Sequence, residues 1–351
     1  MIGVVLIKLN DNKNMKKISI LTLLLIGSIS FAQSGYKISN KIHLEGDGSW
    51  DYLAVDNLTD RLFVSHSKLV QVLDLKEGKL IGTIPDTKGV HGIAIAKDLN
   101  KGYTSNGKDS SVTVFNLNNY DKILKIKVTG NKPDAILYDQ FSHKIFVFNG
   151  KSNNATVIDA NTDKVIETIS LEGKPEYSVT NGKGKVYVNI ETKNKIAVIN
   201  STTLKVEQSW SISPGEEPTG LAIDVKNNRL FSVCGNKLMV VMDAISGKTI
   251  TSLPVGEHCD GVVFDTETKT IYASNGEGTI TVVKEENENL FKVIETIKTQ
   301  SGAKTIALDA KSHKLYLPCA EYEKTIEPTA EDSKPVIKTN TFSVLVVESG
   351  K

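Results

Sequence analysis

Residues 144–171 read KIFVFNGKSNNATVIDANTDKVIETISL, and the phrase returns twice with altered wording. KVYVNIETKNKIAVINSTTLKVEQSWSI starts at Lys185, and TIYASNGEGTITVVKEENENLFKVIETI starts at Thr270. Each copy holds three strand-like runs, an aromatic-x-x-Asn segment, a VIDANT-like segment and a KVIETI-like segment, separated by Asn, Gly, Asp and Ser. A further apolar run precedes each: YLAVD (52), GIAIA (92), AILYD (135), YSVTN (177), GLAID (220), GVVFD (261) and TIALD (305). The residues just ahead of these runs are Asp51, His91, Asp134, Glu176, Thr219, Asp260 and Lys304, at intervals of 40 to 44 positions. Four strands per period of this length define a β-propeller.

Seven copies begin, but the last supplies only KLYLPC and FSVLVVE after its first strand. Its missing strand lies at the other end of the chain, where YKISNKIHLEG (36–46) matches DKVIETISLEG (163–173) almost position for position. The amino-terminal strand is therefore expected to complete the seventh blade and close the ring. The fold class is all-β, a single seven-bladed propeller over residues 33–351.

The first 32 residues are set apart. Lys16-Lys17 precede the apolar run ISILTLLLIGSI, and Ser30-Phe31-Ala32 forms a small-x-small site before Gln33. That is the plan of a signal peptide starting at Met15 with an upstream extension, and it predicts a periplasmic or secreted protein with no membrane insertion after cleavage. The remaining chain carries 38 basic and 40 acidic residues. A near-neutral body has no electrostatic reason to bind nucleic acid. Three cysteines in an exported chain permit one bridge, and Cys234–Cys259 is the pair on neighbouring loops; the competing expectation is three buried thiols.

The phrases KVYVNI, LYLPC and VIDANTDKVIETI, with the linkers EGKPEY and PGEEPTG, resemble the YVTN-repeat, YncE-like propellers of exported bacterial proteins. The resemblance covers the whole of 33–351 and implies the fold. It implies no single activity, because propellers serve as binding proteins and, more distantly, as lactonases and lyases.

Function must then be sought where the copies differ. Residues ahead of the first strands and at the ends of the second strands converge on one mouth of the central channel. The first ring is the Asp51-to-Lys304 set above. The second is His66, Asn106, Asn149, Ile190, Cys234, Asn275 and Cys319. Its Asn residues are expected to cap the following turn; His66 and the cysteines depart from that pattern. The ligand-binding candidates are Trp50, Asp51, His66, His91, Asp134, Glu176, Glu191, Asp260 and Lys304. His66, His91, His258 and Asp260 are a possible divalent metal set, since imidazole and carboxylate suit such ions. No HExxH, GxSxG, P-loop or CxxC motif is present. The leading expectation is a monomeric, non-enzymatic propeller binding a small molecule or protein at this mouth. The alternative is a metal-assisted lactonase or lyase acting at the same place. Residues 320–341 form a long polar insertion in the seventh blade, placed over the mouth.

Overall fold

The computed structural model describes residues 35–323 and 335–350. It contains seven four-stranded antiparallel sheets arranged as propeller blades. The inner strands of blades one to six are Trp50–Asp56, Val90–Ala96, Pro133–Asp139, Pro175–Thr180, Pro218–Asp224 and Cys259–Asp265. Blade seven runs from Ala307–Asp309 through Lys314–Cys319 and Ser343–Ser349 to the amino-terminal strand Tyr36–His43. That outermost strand pairs with Ser343–Ser349 alone, from Tyr36 opposite Ser349 to His43 opposite Ser343. As the outermost strand of its blade it has one hydrogen-bonded neighbour.

The strand patterns follow from position in the ring. Middle strands are covered on both faces by adjacent blades, so they read as continuous apolar runs. Asn154–Asp159 is an example, with four consecutive buried residues. Outer strands are wet, and Lys164–Ser170 is mostly exposed. Between strands three and four, Asp159 accepts from the backbone N–H groups of Asn161 and Thr162 at 3.0 and 2.9 Å. Asn116, Asn200 and Asp243 make the same turn in their own blades, which explains the recurrence of the DANT-like phrase.

Seven apolar clusters fill the seven gaps between blades. Phe63 of blade one, for example, lies against Phe115 of blade two at 5.9 Å between ring centroids. Truncating such a ring costs about 3–5 kcal/mol, so the stability of the ring is spread over many equivalent interfaces.

All three cysteines are free and buried. The expected Cys234–Cys259 bridge is not formed. Cys234 packs in the cluster between blades four and five and Cys259 in the one between blades five and six. Each thiol points to a backbone carbonyl, of Ser232 and Gly261 respectively. The residues expected to form a signal peptide lie outside the described segments, as does the centre of the blade-seven insertion. The base of that insertion is a short ribbon in which Tyr322 pairs with Ile337.

Candidate functional site

The first ring owes its geometry to a recurrent irregularity. In blades one to six the pairing of the inner strand with the second strand slips at its start, between Trp50 and Leu53, Val90 and Ile93, Pro133 and Ile136, and at equivalent places onward. Such a bulge re-aims the side chain it contains. Here that side chain is the ring residue, presented to the channel mouth.

Second-strand serines, together with Thr305 ahead of the seventh inner strand, hold the ring backbone in place. Ser105 accepts from the Gly92 N–H at 2.8 Å and donates to the Asp134 carbonyl. Ser274 donates to the Lys304 carbonyl at 2.6 Å, and Thr305 to the Asp51 carbonyl at 2.6 Å. These bonds link neighbouring blades at the level of the ring. Close approach also demands glycine at 220, where a Cβ would lie 2.8 Å from the Asp260 carbonyl oxygen.

The charges within the ring are unequally satisfied. His91 Nδ1 bonds Asp51 Oδ2 at 2.6 Å and lies 3.7 Å from Asp134 Oδ1. Lys304 Nζ meets Asp260 at 2.5 Å. Lys174 bridges Glu176 and Glu191, each at 2.5 Å. Thr219 is occupied with the carbonyls of Val233 and Cys259. Asp134 differs: it is 8% exposed, and its carboxylate accepts no hydrogen bond from any described residue.

Burial and neighbouring carboxylates set the protonation of the group. Burial pushes the Glu176 carboxyl up to about 7; the Asp134 charge adds to this and Lys174 opposes it. Burial likewise raises Asp134, with the His91 charge opposing and Asp51 reinforcing. Burial disfavours the His91 cation, but the Asp51 bond and the Asp134 and Asp51 charges outweigh it, so the imidazolium is favoured. Lys304 is also raised, its desolvation exceeded by the attraction of Asp260 and Asp51.

Beneath the ring, Tyr52 of blade one and Tyr177 of blade four meet across the channel, with 5.1 Å between ring centroids. The equivalent positions elsewhere are Gly92, Ala135, Gly220, Gly261 and Thr305, small enough to leave room for the two rings. Burial, then the Asp134, Asp51, Asp260 and Glu176 charges, keep the Tyr52 hydroxyl protonated. The pair forms the floor of a charged cup. Further along the same strands is a funnel of about 380 Å³, lined by the residues Ile93, Val179, Leu221, Val263 and Leu308 among others.

Several expected site residues lie elsewhere. His66 is 2% exposed; it bonds Gln71 at 3.0 Å and stacks on Phe342 at 4.0 Å. Burial lowers its pKa, leaving a neutral ring. His258 is exposed, on the connection before the sixth inner strand. The set His66, His91, His258 and Asp260 is therefore not assembled. Among the described residues the group with metal-ligand geometry is Asp51, His91 and Asp134, whose ligand atoms lie within 4.8 Å of one another. Trp50 sits at the rim against Phe342 and Tyr322, at 5.6 and 6.4 Å.

The second-ring asparagines do not cap turns. They are fully buried, and Asn106 and Asn149 donate to Thr113 and Thr156 on the third strand at 2.9 and 3.0 Å. Asn275 makes the same tie to Thr281 at 3.1 Å. His66 with Gln71 is a variant of that tie in blade one: both partners changed together. That paired change was the available signal that His66 is structural. Tyr52, Tyr177 and Lys174 were missed, although two tyrosines at a position otherwise given to small residues were visible in the repeat.

No family profile matches the chain, and no curated protein does. Solved structures do. Hydrazine synthase from Kuenenia stuttgartiensis is similar with a TM-score of 0.67 and 16% identity, covering 78% of this chain and 94% of that one. U3-55K has a TM-score of 0.74 at 8% identity, covering 87% and 97%. The RRP9 WD40 repeats have 0.73 at 8%, covering 88% and 97%. At these identities the likeness establishes the class, a seven-bladed β-propeller.

Proposed function

We propose that the protein is an exported propeller that binds a ligand or protein partner at the channel mouth without catalysing a reaction. The observation carrying this reading is the charged cup above Tyr52 and Tyr177, whose backbone is pinned between blades and whose four carboxylates are largely buried. Pre-organisation of this kind lowers the cost of binding. Four carboxylates, Asp51, Asp134, Glu176 and Asp260, outnumber the cations His91 and Lys304 in the ring. The ligand is accordingly cationic, an organic ammonium or guanidinium group, free or carried on a partner's side chain. Export rests on the Lys16-Lys17, apolar-run and Ser-Phe-Ala pattern, and amino-terminal sequencing of the secreted or periplasmic protein checks it by finding Gln33 first.

A second reading, a lyase or lactonase at the same mouth, is favoured by Glu176, a carboxyl held at about 7 and so suited to proton transfer near neutral pH. The two readings separate in one experiment. Melting temperature is followed with putrescine, propylammonium, argininamide and, as the opposite charge, butyrate. Binding predicts stabilisation by the cations alone, lost in Asp134→Asn/Glu176→Gln. No shift with any cation, or an equal shift in the double variant, overturns the binding proposal. Ring opening of a simple lactone by the parent, absent in Glu176→Gln, would transfer support to the enzymatic reading.

A further inference from the structure

We infer that Asp51, His91 and Asp134 form a binding site for a divalent first-row transition metal ion, a use of the channel mouth that rests on the cation-binding reading above. Three consecutive blades each contribute one ligand, and each ligand comes from the bulged start of an inner strand. The donor set, one imidazole nitrogen and two carboxylate oxygens, suits zinc, manganese, cobalt or nickel better than copper(I), which prefers sulfur, or calcium, which takes six or more oxygens.

The distances are close to those a metal needs. Tetrahedral ligands at about 2.0–2.1 Å from a zinc ion stand about 3.3 Å apart. His91 Nδ1 stands 2.6 Å from Asp51 Oδ2 and 3.7 Å from Asp134 Oδ1, one separation short and the other long. Small side-chain rotations equalise them, because the backbone is already fixed by Ser105 and Thr305.

A second, independent feature points to a cation. Asp134 is buried, faces His91 and Asp51, and receives no side-chain hydrogen bond from the described residues; its ion-pair neighbour, His91 Nδ1, stands off at 3.7 Å. A buried carboxylate held by one distant ion pair costs more than a hydrogen-bonded one, and a bound cation offsets that cost. The other ring carboxylates already have Lys304 and Lys174. A metal ion takes the place of the Nδ1 proton that His91 shares with Asp51. Three protein ligands leave a coordination position toward the mouth for water or a ligand group.

Binding therefore releases a proton and weakens as pH falls. The groups facing the site are Glu176, Asp260, Lys304, Lys132 and the neutral Tyr52 hydroxyl, of which the four charged ones act on Asp134 or His91 through their charge. Lys304 opposes the metal, and Glu176 and Asp260 favour it.

The test uses chain 33–351 dialysed against chelator and then titrated calorimetrically with zinc and with manganese chloride at pH 7.5 and pH 5.5. One stoichiometric site is expected at pH 7.5, weaker at pH 5.5. Asp134→Asn, which keeps side-chain shape, and His91→Ala should each lose at least about tenfold in affinity, as removal of a direct ligand exceeds the loss of an outer-shell partner. His258→Asn, at an exposed position with φ of 55° that asparagine tolerates, should bind as the parent does. Cobalt absorption of the parent gives a readout independent of the variants' folding: visible bands of a low-coordinate nitrogen–oxygen site. Sub-stoichiometric heats, or equal heats in all variants with a cobalt spectrum of the aqueous ion, overturn the site. If the metal fails but putrescine still raises the melting temperature, the metal site falls and the cation-binding cup stands; if both fail, both fall.

Discussion

Glu176→Gln should stabilise the protein above neutral pH. Glu176 is 6% exposed, its carboxyl feels the Asp134 charge, and its folded pKa of about 7 exceeds the ordinary 4.5. For an acid raised in this way the folded state holds its proton longer than the unfolded chain. Below pH 4.5 both states are protonated and the group contributes nothing to pH dependence. Between 4.5 and 7 the unfolded chain ionises first, so stability falls as pH rises. Above 7 the full cost is in place, about 3 kcal/mol at 1.36 kcal/mol per pKa unit. Glutamine keeps the shape and removes the charge, while Lys174 retains Glu191 at 2.5 Å. Urea unfolding at pH 8 should show the variant more stable by about 3 kcal/mol, and its melting temperature higher by roughly 5 °C. At pH 4.5 the two proteins should be nearly equal. A variant no more stable than the parent at pH 8, or a difference independent of pH, would refute the electrostatic account of the cup.

Three further outcomes are expected. Deleting residues 33–46 removes the partner of Ser343–Ser349, and gel filtration should then report aggregation through the uncovered edge, with a lower melting temperature. Thiol counting on the denatured, unreduced protein should give three free thiols, where a bridge would leave one. His66→Ala should destabilise by about 1–3 kcal/mol by stranding Gln71, whereas His66→Asn/Gln71→Thr, which rebuilds the tie of blades two, three and six, should cost less than either single change in urea melts.

The ring was legible because the repeat is a physical necessity. Each blade must bury two faces of its middle strands and turn four times with the same chemistry, so VIDANT and KVIETI recur. The closing strand was legible for the same reason, since Tyr36–His43 carries the outer-strand pattern of Lys164–Ser170. The members of the first ring could also be named, because the repeat places them at one mouth. What they do to one another could not. Whether His91 meets Asp51 or His66 depends on side-chain direction at a bulge, and a bulge leaves no mark in a period-2 pattern. The cysteine expectation failed likewise: adjacent strand ends bring Cys234 and Cys259 near, but each side chain turns into a different inter-blade cluster.

Diffraction from a crystal of chain 33–351 soaked in putrescine tests the binding cup most directly. The account predicts density for the diamine above Tyr52 and Tyr177, with an ammonium group within hydrogen-bond distance of Asp134 or Glu176. Density confined to the funnel at the other end of the channel, or none in a crystal whose mouth is open to solvent, would contradict it.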